Sequence, residues 1–146
     1  MNKTVIRIIL SVIFLVTVFV SCKKEKDDPK TKLLTQAEWK VSKHEEKINS
    51  DPYIDYFPSL LACSQDDKYH FRTDNTYELN EGVTKCNLSD PDVIATGGWQ
   101  FTQNGTKINI DGNESTIDQL DENIFIISGN YYTNPDTNYY RFTFVH

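Results

Sequence analysis

The chain is poor in cysteine and in positive charge, and each shortage argues against a class of function. Its 146 residues include three cysteines and no C-x-x-C pair, which argues against a thiol redox site. The 15 lysines and arginines are outnumbered by 21 aspartates and glutamates, so the formal net charge is −6. A negative body repels phosphate backbones, and we therefore expect no nucleic-acid partner.

Long apolar runs are also scarce. The one such run, residues 8–20, is broken only by Ser11 and Thr17. It is shorter than the roughly 20 apolar residues that a membrane-spanning helix needs. Because it follows Lys3 and Arg7, it has the layout of a secretory signal, with a positive start and a short apolar region.

The apolar run ends in Phe19-Val20-Ser21-Cys22, which resembles the lipobox of bacterial lipoproteins. The resemblance implies a signal peptide over residues 1–21, cleavage before Cys22 and a diacylglycerol on the Cys22 sulfur. An ordinary signal peptide and an uncleaved anchor are the alternatives. Cleavage removes two cations and no acid, which changes the net charge from −6 to −8. Fatty acyl chains such as palmitate, rather than attraction to anionic headgroups, would then hold the protein on a membrane.

Residues 22–32 are predicted to be a flexible tether, because almost every residue after Cys22 is charged or polar. Asp27 and Asp28 resemble a surface-export signal found in some Gram-negative lipoproteins, and a solvated spacer is the alternative interpretation. We expect a lipid-anchored protein of the cell envelope, at the outer membrane, where the acidic pair would favour exposure at the cell surface.

From Leu33 to His146 the sequence consists of short alternating apolar and polar runs separated by turn residues, which is typical of antiparallel strands. Asn104-Gly105 is the strongest short hairpin signal. We predict an all-β domain over residues 33–146, an up-and-down barrel of about eight strands with a short helical turn between Thr35 and Glu38. A two-sheet sandwich is the main alternative. The predicted strands are Trp39–Lys43, Lys68–Phe71, Thr76–Asn80, Gly98–Thr102, Lys107–Ile110, Ser115–Ile117, Asn123–Ile127 and Tyr139–Val145.

Two long loops are predicted to meet at one end of this domain. With Cys22 lipidated, Cys63 and Cys86 remain, and an oxidising compartment favours a disulfide between them, with two free thiols or a redox pair as alternatives. The apolar loop over residues 48–62 is expected to act either as a lid or as a plug that completes the core. A disulfide would bring it to the same barrel end as the loop over residues 87–97, where we expect any binding site.

Several blocks of the domain resemble the lipocalin-like domains of bacterial lipoproteins, and the resemblance covers residues 33 to 146. It implies an up-and-down barrel and a Cys63–Cys86 bridge. In lipocalins a basic residue near the chain end packs across the tryptophan of the first strand; Arg141 is the candidate partner of Trp39, with ordinary core packing of Trp39 as the alternative. The blocks are Trp39, Ala62–Asp67, Tyr69–Phe71, Asp74–Tyr77, Glu81–Cys86, Gly98-Trp99 and Gly105–Lys107.

The aromatic content of the domain allows a cavity for a small hydrophobic or aromatic ligand. A filled barrel that acts as a non-catalytic interaction protein of the cell envelope is the alternative, and the sequence specifies no protein partner. We predict no enzyme activity, because the chain has no G-x-S-x-G motif and its three histidines are scattered. Residues 66 and 70 of a strand would lie about 13 Å apart, so we expect no metal and no cofactor. The predicted ligand-binding residues are Tyr69, Tyr77, Trp99, Phe125, Phe142, Tyr56 and Phe57.

Overall fold

In the part of the chain that the structure describes, eight of nine strands pair in sequence order as an antiparallel sheet, and the last strand pairs with the first, so that the sheet closes into a barrel. The computed structural model describes residues 28–146. The predicted signal peptide, Cys22 and most of the tether lie outside these residues. The strands are β1 (Trp39–Ile48), β2 (Ile54–Asp55), β3 (Lys68–Phe71), β4 (Thr76–Asn80), β5 (Val93–Thr102), β6 (Lys107–Ile110), β7 (Asn113–Leu120), β8 (Ile124–Thr133) and β9 (Asp136–Val145).

The pairing of β1 with β9 confirms the predicted barrel over the sandwich. It runs from Lys40 opposite Val145 to Ile48 opposite Asn138. On its other side, β1 pairs first with β3, at Trp39, and then with the extra two-residue strand β2, near its far end. Closure satisfies backbone groups that an open sheet would leave at its edges.

A helix, α1, covers one end of the barrel, which we call the closed end. It spans Pro29–Thr35 and is capped by Asp28, whose carboxylate accepts a hydrogen bond from the Lys30 backbone N–H. Its Leu34 is fully buried, and the Leu34 carbonyl accepts a hydrogen bond from the Trp39 indole N–H at 2.8 Å. The helix therefore precedes the predicted Thr35–Glu38 turn, and residues 29–32 are helical where we expected tether, because burial of Leu34 orders them.

The closed half of the barrel is filled by large side chains, several of them in edge-to-face aromatic contacts. Phe71 packs edge-on against Trp99 and Phe125, with ring centroids 5.9 and 6.2 Å apart. Such contacts stabilise beyond the burial of apolar area alone. The side chains with no exposed surface are Leu34, Trp39, Phe71, Ile108 and Phe125.

All eight predicted strands are present, but five of them are longer than the alternating pattern indicates. The first half of β5, residues 93–97, belongs to the segment predicted as the second loop. The Asn104-Gly105 hairpin forms with a wider turn than predicted, since Gln103, Asn104 and Gly105 all have positive φ. Except for residues 118–120 of β7, the extra strand length lies toward the end opposite α1, which we call the open end.

Candidate functional site

A cavity of about 710 Å³ occupies the open half of the barrel. Its apolar wall includes Ile110, Ile127 and Phe142, and polar side chains lie around its mouth. A second cavity of about 230 Å³ lies toward the closed end and shares these three lining residues with the first. The larger cavity is lined by His44, Glu46, Ile110, Gly112, Asn113, Glu114, Ser115, Ile127, Asn130, Tyr131, Tyr140 and Phe142.

The barrel wall is low on one side of this cavity. Strand β6 has only four residues, and the two-residue turn Asp111-Gly112, with φ of 50° and 88°, leads directly into β7. Strand β5 therefore pairs with β6 only from Trp99 to Thr102, and residues 93–97 extend beyond the turn. Gly112 and Asn113, at this low part of the wall, are among the residues that line the cavity.

A β-bulge places two polar side chains in the cavity. In the β1–β9 pairing, Val41 lies opposite Phe144 and Lys43 lies opposite Thr143, so Ser42 is the extra residue. A bulge reverses the alternation of side chains beyond it. As a result His44 and Glu46 line the cavity, whereas uninterrupted alternation from Trp39 would turn Lys43 and Glu45 inward.

His44 and Glu46 form a pair against the aromatic wall. The His44 Nε2 atom lies 2.9 Å from the Glu46 Oε1 atom, and the imidazole stacks on the Phe142 ring with centroids 4.4 Å apart and planes 17° apart. Phe142 lies directly opposite His44 on β9, and Tyr140 lies opposite Glu46. The cavity therefore has an acidic group beside an aromatic surface.

A hydroxyl pair joins β9 to β7 across Gly129 of β8. Ser115, which is buried, lies 2.9 Å from the Tyr140 hydroxyl oxygen. Tyr140 fits because residue 129 is glycine: a Cβ at Gly129 would lie 2.3 Å from the Tyr140 hydroxyl oxygen. The cavity thus offers hydroxyl groups as well as a carboxylate to the polar part of a ligand.

The Asp111 carboxylate, in the turn between β6 and β7, accepts two hydrogen bonds, one of them from Tyr77 of the smaller cavity. The Tyr77 hydroxyl donates to Asp111 Oδ2 at 2.5 Å, and the Gly98 backbone N–H donates to Asp111 Oδ1 at 2.8 Å. These bonds hold the pKa of Asp111 below its usual value. Burial and the bond to Asp111 raise the pKa of Tyr77 to about 12. A Cβ at Gly97 would lie 2.3 Å from the Asp111 carboxylate, so glycine is needed at this position.

The predicted disulfide between Cys63 and Cys86 is confirmed, and it joins the two long loops at the open end. Asp66 and Asp67 reinforce the link by accepting hydrogen bonds from the backbone N–H groups of Thr84 and Gly82. Burial raises the pKa of Asp67. The loops are therefore fixed to one another at the open end.

The segment 48–62 contributes no residue to the buried core, so it is not the predicted plug. Its strand β2 pairs with β1 at Glu45 and Glu46, and the Tyr56 backbone N–H donates to the His44 carbonyl at 2.7 Å. The segment extends the barrel wall along the open-end half of β1, which β3 is too short to reach.

The seven residues predicted to bind ligand are distributed over three places. Tyr69, Tyr77 and Phe142 line the smaller cavity, and Phe142 also lines the larger one. Trp99 and Phe125 belong to the packed core of the closed half. Tyr56 and Phe57 lie outside both cavities, on the wall segment, and Tyr56 is exposed. The sequence reasoning missed His44, Glu46, Ser115, Tyr140 and the two isoleucines, since only their positions in the closed sheet bring them together.

The expected contact between Trp39 and Arg141 does not form. Arg141 lies on the outer face, where its guanidinium donates two hydrogen bonds to Glu45 at 2.8 and 2.9 Å and lies over the Tyr53 ring. The ring that covers Trp39 is His146, with centroids 4.0 Å apart. Alternation along β9 directs Arg141 outward, and the bulge at Ser42 turns Glu45 outward to meet it.

Within residues 28–146, no group of three or more histidine, cysteine or acidic side chains is placed to hold a metal ion. None of the helices in this part of the chain has the length and apolar character needed to cross a membrane. No protein-family model matches the chain, and no curated protein has a similar sequence.

Proposed function

We propose that this chain is an exported, lipid-anchored protein that binds a small hydrophobic or aromatic ligand in the open half of its barrel. The cavity of about 710 Å³ carries the proposal. Pockets that bury small organic ligands typically have volumes of about 300–1,000 Å³, with apolar walls and a few polar groups. The combination of Phe142, Ile110 and Ile127 with the His44–Glu46 pair has this composition.

The proposal is tested by filling the cavity. Ile110 lines both cavities, so Ile110→Trp would occupy the space in which the ligand is expected to bind. Residues 28–146 contain the complete barrel and its core, and the chain from Lys23 to His146 is therefore suitable for calorimetry with a panel of hydrophobic and aromatic compounds. Trp39 and Trp99 belong to the packed core of the closed half, so their fluorescence is a poor report on this cavity.

We expect at least one compound of the panel to bind and Ile110→Trp to weaken its binding by at least about tenfold. Ile94→Trp is the matched control, because Ile94 is exposed on the part of β5 that does not pair with β6, and it lines neither cavity. Equal affinity in the wild type and Ile110→Trp, or no binding by any compound, would contradict the proposal.

The anchoring part of the proposal rests on the lipobox-like end of the signal and on the position of α1. Six residues separate Cys22 from Pro29, a span of at most about 25 Å when fully extended. Since α1 covers the closed end, a lipid on Cys22 would leave the cavity mouth directed away from the membrane. Labelled palmitate should be incorporated into the wild type and not into Cys22→Ala, and Cys22→Ala should leave the membrane fraction. Membrane retention of Cys22→Ala would refute the anchor.

The alternative, a non-catalytic interaction protein of the envelope, is favoured by a different observation. Leu61, Val83 and Leu88 in the loops of the open end are 71%, 95% and 98% exposed. Exposed apolar groups of this kind occur in protein-binding surfaces. This function predicts that Leu88→Asp abolishes co-purification of an envelope component while Ile110→Trp preserves it; the opposite pattern would favour the ligand-binding function.

A further inference from the structure

The charges around the larger cavity restrict the chemistry of the ligand that the proposed function requires. Two carboxylates, Glu46 and Glu114, are among its lining residues, and within residues 28–146 no lysine or arginine is. Glu114 is already engaged, since Lys107 Nζ and Thr102 Oγ1 donate to it at 2.7 and 2.9 Å. These bonds lower the pKa of Glu114. Glu46 is therefore the carboxylate best placed to meet a ligand.

One oxygen of Glu46 is still able to accept a hydrogen bond. Its Oε1 atom lies 2.9 Å from His44 Nε2, whereas Oε2 has no hydrogen-bond partner within the described part of the chain. The side chain is 36% exposed, so it can be reached from the mouth of the cavity. The acceptor lies beside the Phe142 and Tyr140 rings, whose centroids are 5.9 Å apart.

The neighbouring cations are directed away from the cavity. Lys47 follows Glu46 in β1, and its ammonium group lies 5.1 and 5.0 Å from the ring centroids of Tyr53 and Tyr139. Arg141, between Tyr140 and Phe142 in β9, is bonded to Glu45. Because successive strand residues point to opposite faces, the same pattern that directs Glu46 inward directs these cations outward.

We infer that the cavity selects a cationic amphiphile, an organic ammonium compound whose apolar or aromatic body fills the cavity and whose ammonium group binds Glu46. Aromatic faces attract cations, and an ammonium group forms a charge-assisted hydrogen bond with a carboxylate. A ligand that carries a carboxylate would meet Glu46, and Asp111 beside the smaller cavity, as like charges. The inference rests on the proposed ligand-binding function and specifies its ligand class.

A matched series of three compounds tests the inference, since naphthylethylamine, naphthylethanol and naphthylacetate share a ring system and differ in the charge of the head group. Calorimetry near neutral pH should show the amine binding roughly tenfold more tightly than the alcohol, the size of one charge-assisted hydrogen bond, and the carboxylate most weakly. Added salt should weaken binding of the amine and leave binding of the alcohol unchanged, which tests the charge without any substitution.

Glu46→Gln should bring the affinity for the amine down to that for the alcohol. Glu38→Gln is the matched control, because Glu38 pairs with Lys68 at 3.2 Å and lines neither cavity, and it should retain the full preference. Equal binding of amine and alcohol by the wild type, tightest binding of naphthylacetate, or an unchanged preference in folded Glu46→Gln would overturn the charge inference alone. If none of the three compounds binds but another compound of the hydrophobic panel does, the charge inference alone is overturned. If no compound of the series or of the panel binds, the proposed function is refuted as well.

Discussion

The hydrogen bond between Tyr77 and Asp111 makes a quantitative prediction about the alkaline stability of the barrel. The Tyr77 side chain is only 8% exposed, and its pKa is raised from 10.0 to about 12 by burial and by the carboxylate that accepts its proton. Between these two values the unfolded chain has lost the phenolic proton while the folded protein retains it. The free energy of unfolding must therefore fall as the pH rises from about 10 toward 12.

The size of the effect follows from the shift. At pH 11 a phenol with a pKa of 10.0 unfolded and about 12 folded lowers the free energy of unfolding by about 1.4 kcal/mol relative to neutral pH. Tyr77→Phe removes this contribution and also removes a hydrogen bond. We expect the variant to be less stable by about 1 kcal/mol at pH 7, and the difference from wild type to vanish or reverse near pH 11.

Urea unfolding of wild type and Tyr77→Phe at intervals between pH 7 and pH 11 measures this difference. Taking the difference between the two proteins cancels the titration of the other tyrosines, including Tyr69, whose pKa is also raised by burial. Tyr132→Phe, which removes an exposed phenol, is the control and should change stability at pH 7 by less than about 0.5 kcal/mol. A difference between wild type and Tyr77→Phe that stays constant from pH 7 to pH 11 would refute the reasoning.

Three further predictions concern the open end, the closed end and the loops. Gly129→Ala should lower the free energy of unfolding by about 1–3 kcal/mol in urea titrations, because its Cβ would lie 2.3 Å from the Tyr140 hydroxyl oxygen; an unchanged midpoint would mean that Tyr140 moves aside without cost. Leu34→Ala should cost about 2–5 kcal/mol in the same assay, and a loss below about 1 kcal/mol would show that α1 is not part of the core. Replacing Cys63 and Cys86 together by serine should cost about 3–4 kcal/mol, since the bridge spans 23 residues, and equal stability of the oxidised protein and the double variant would contradict this.

The sequence by itself determined the strands of the barrel and the pairing of its cysteines. Alternation marks a strand wherever one face is buried, so the runs around Tyr77, Trp99 and Phe142 could be recognised without any knowledge of their partners, and the run around Phe125 could be recognised by its continuous apolar character. The same alternation failed at strand ends near the open end, because inward side chains such as Glu46 are polar there and do not contrast with the outer face.

The tertiary structure alone decided which side chains face the cavity. Closure of β1 on β9 with an extra residue at Ser42 turns His44 and Glu46 inward and Glu45 outward, and local sequence carries no mark of that bulge because it depends on the register of two strands about 100 residues apart. The position of the cavity within the barrel also depends on contacts between distant parts of the chain. Trp99 and Phe125 have the same residue character as Phe142, yet they fill the closed half, and only the short β6 and the packed helix α1 determine which half of the barrel remains open.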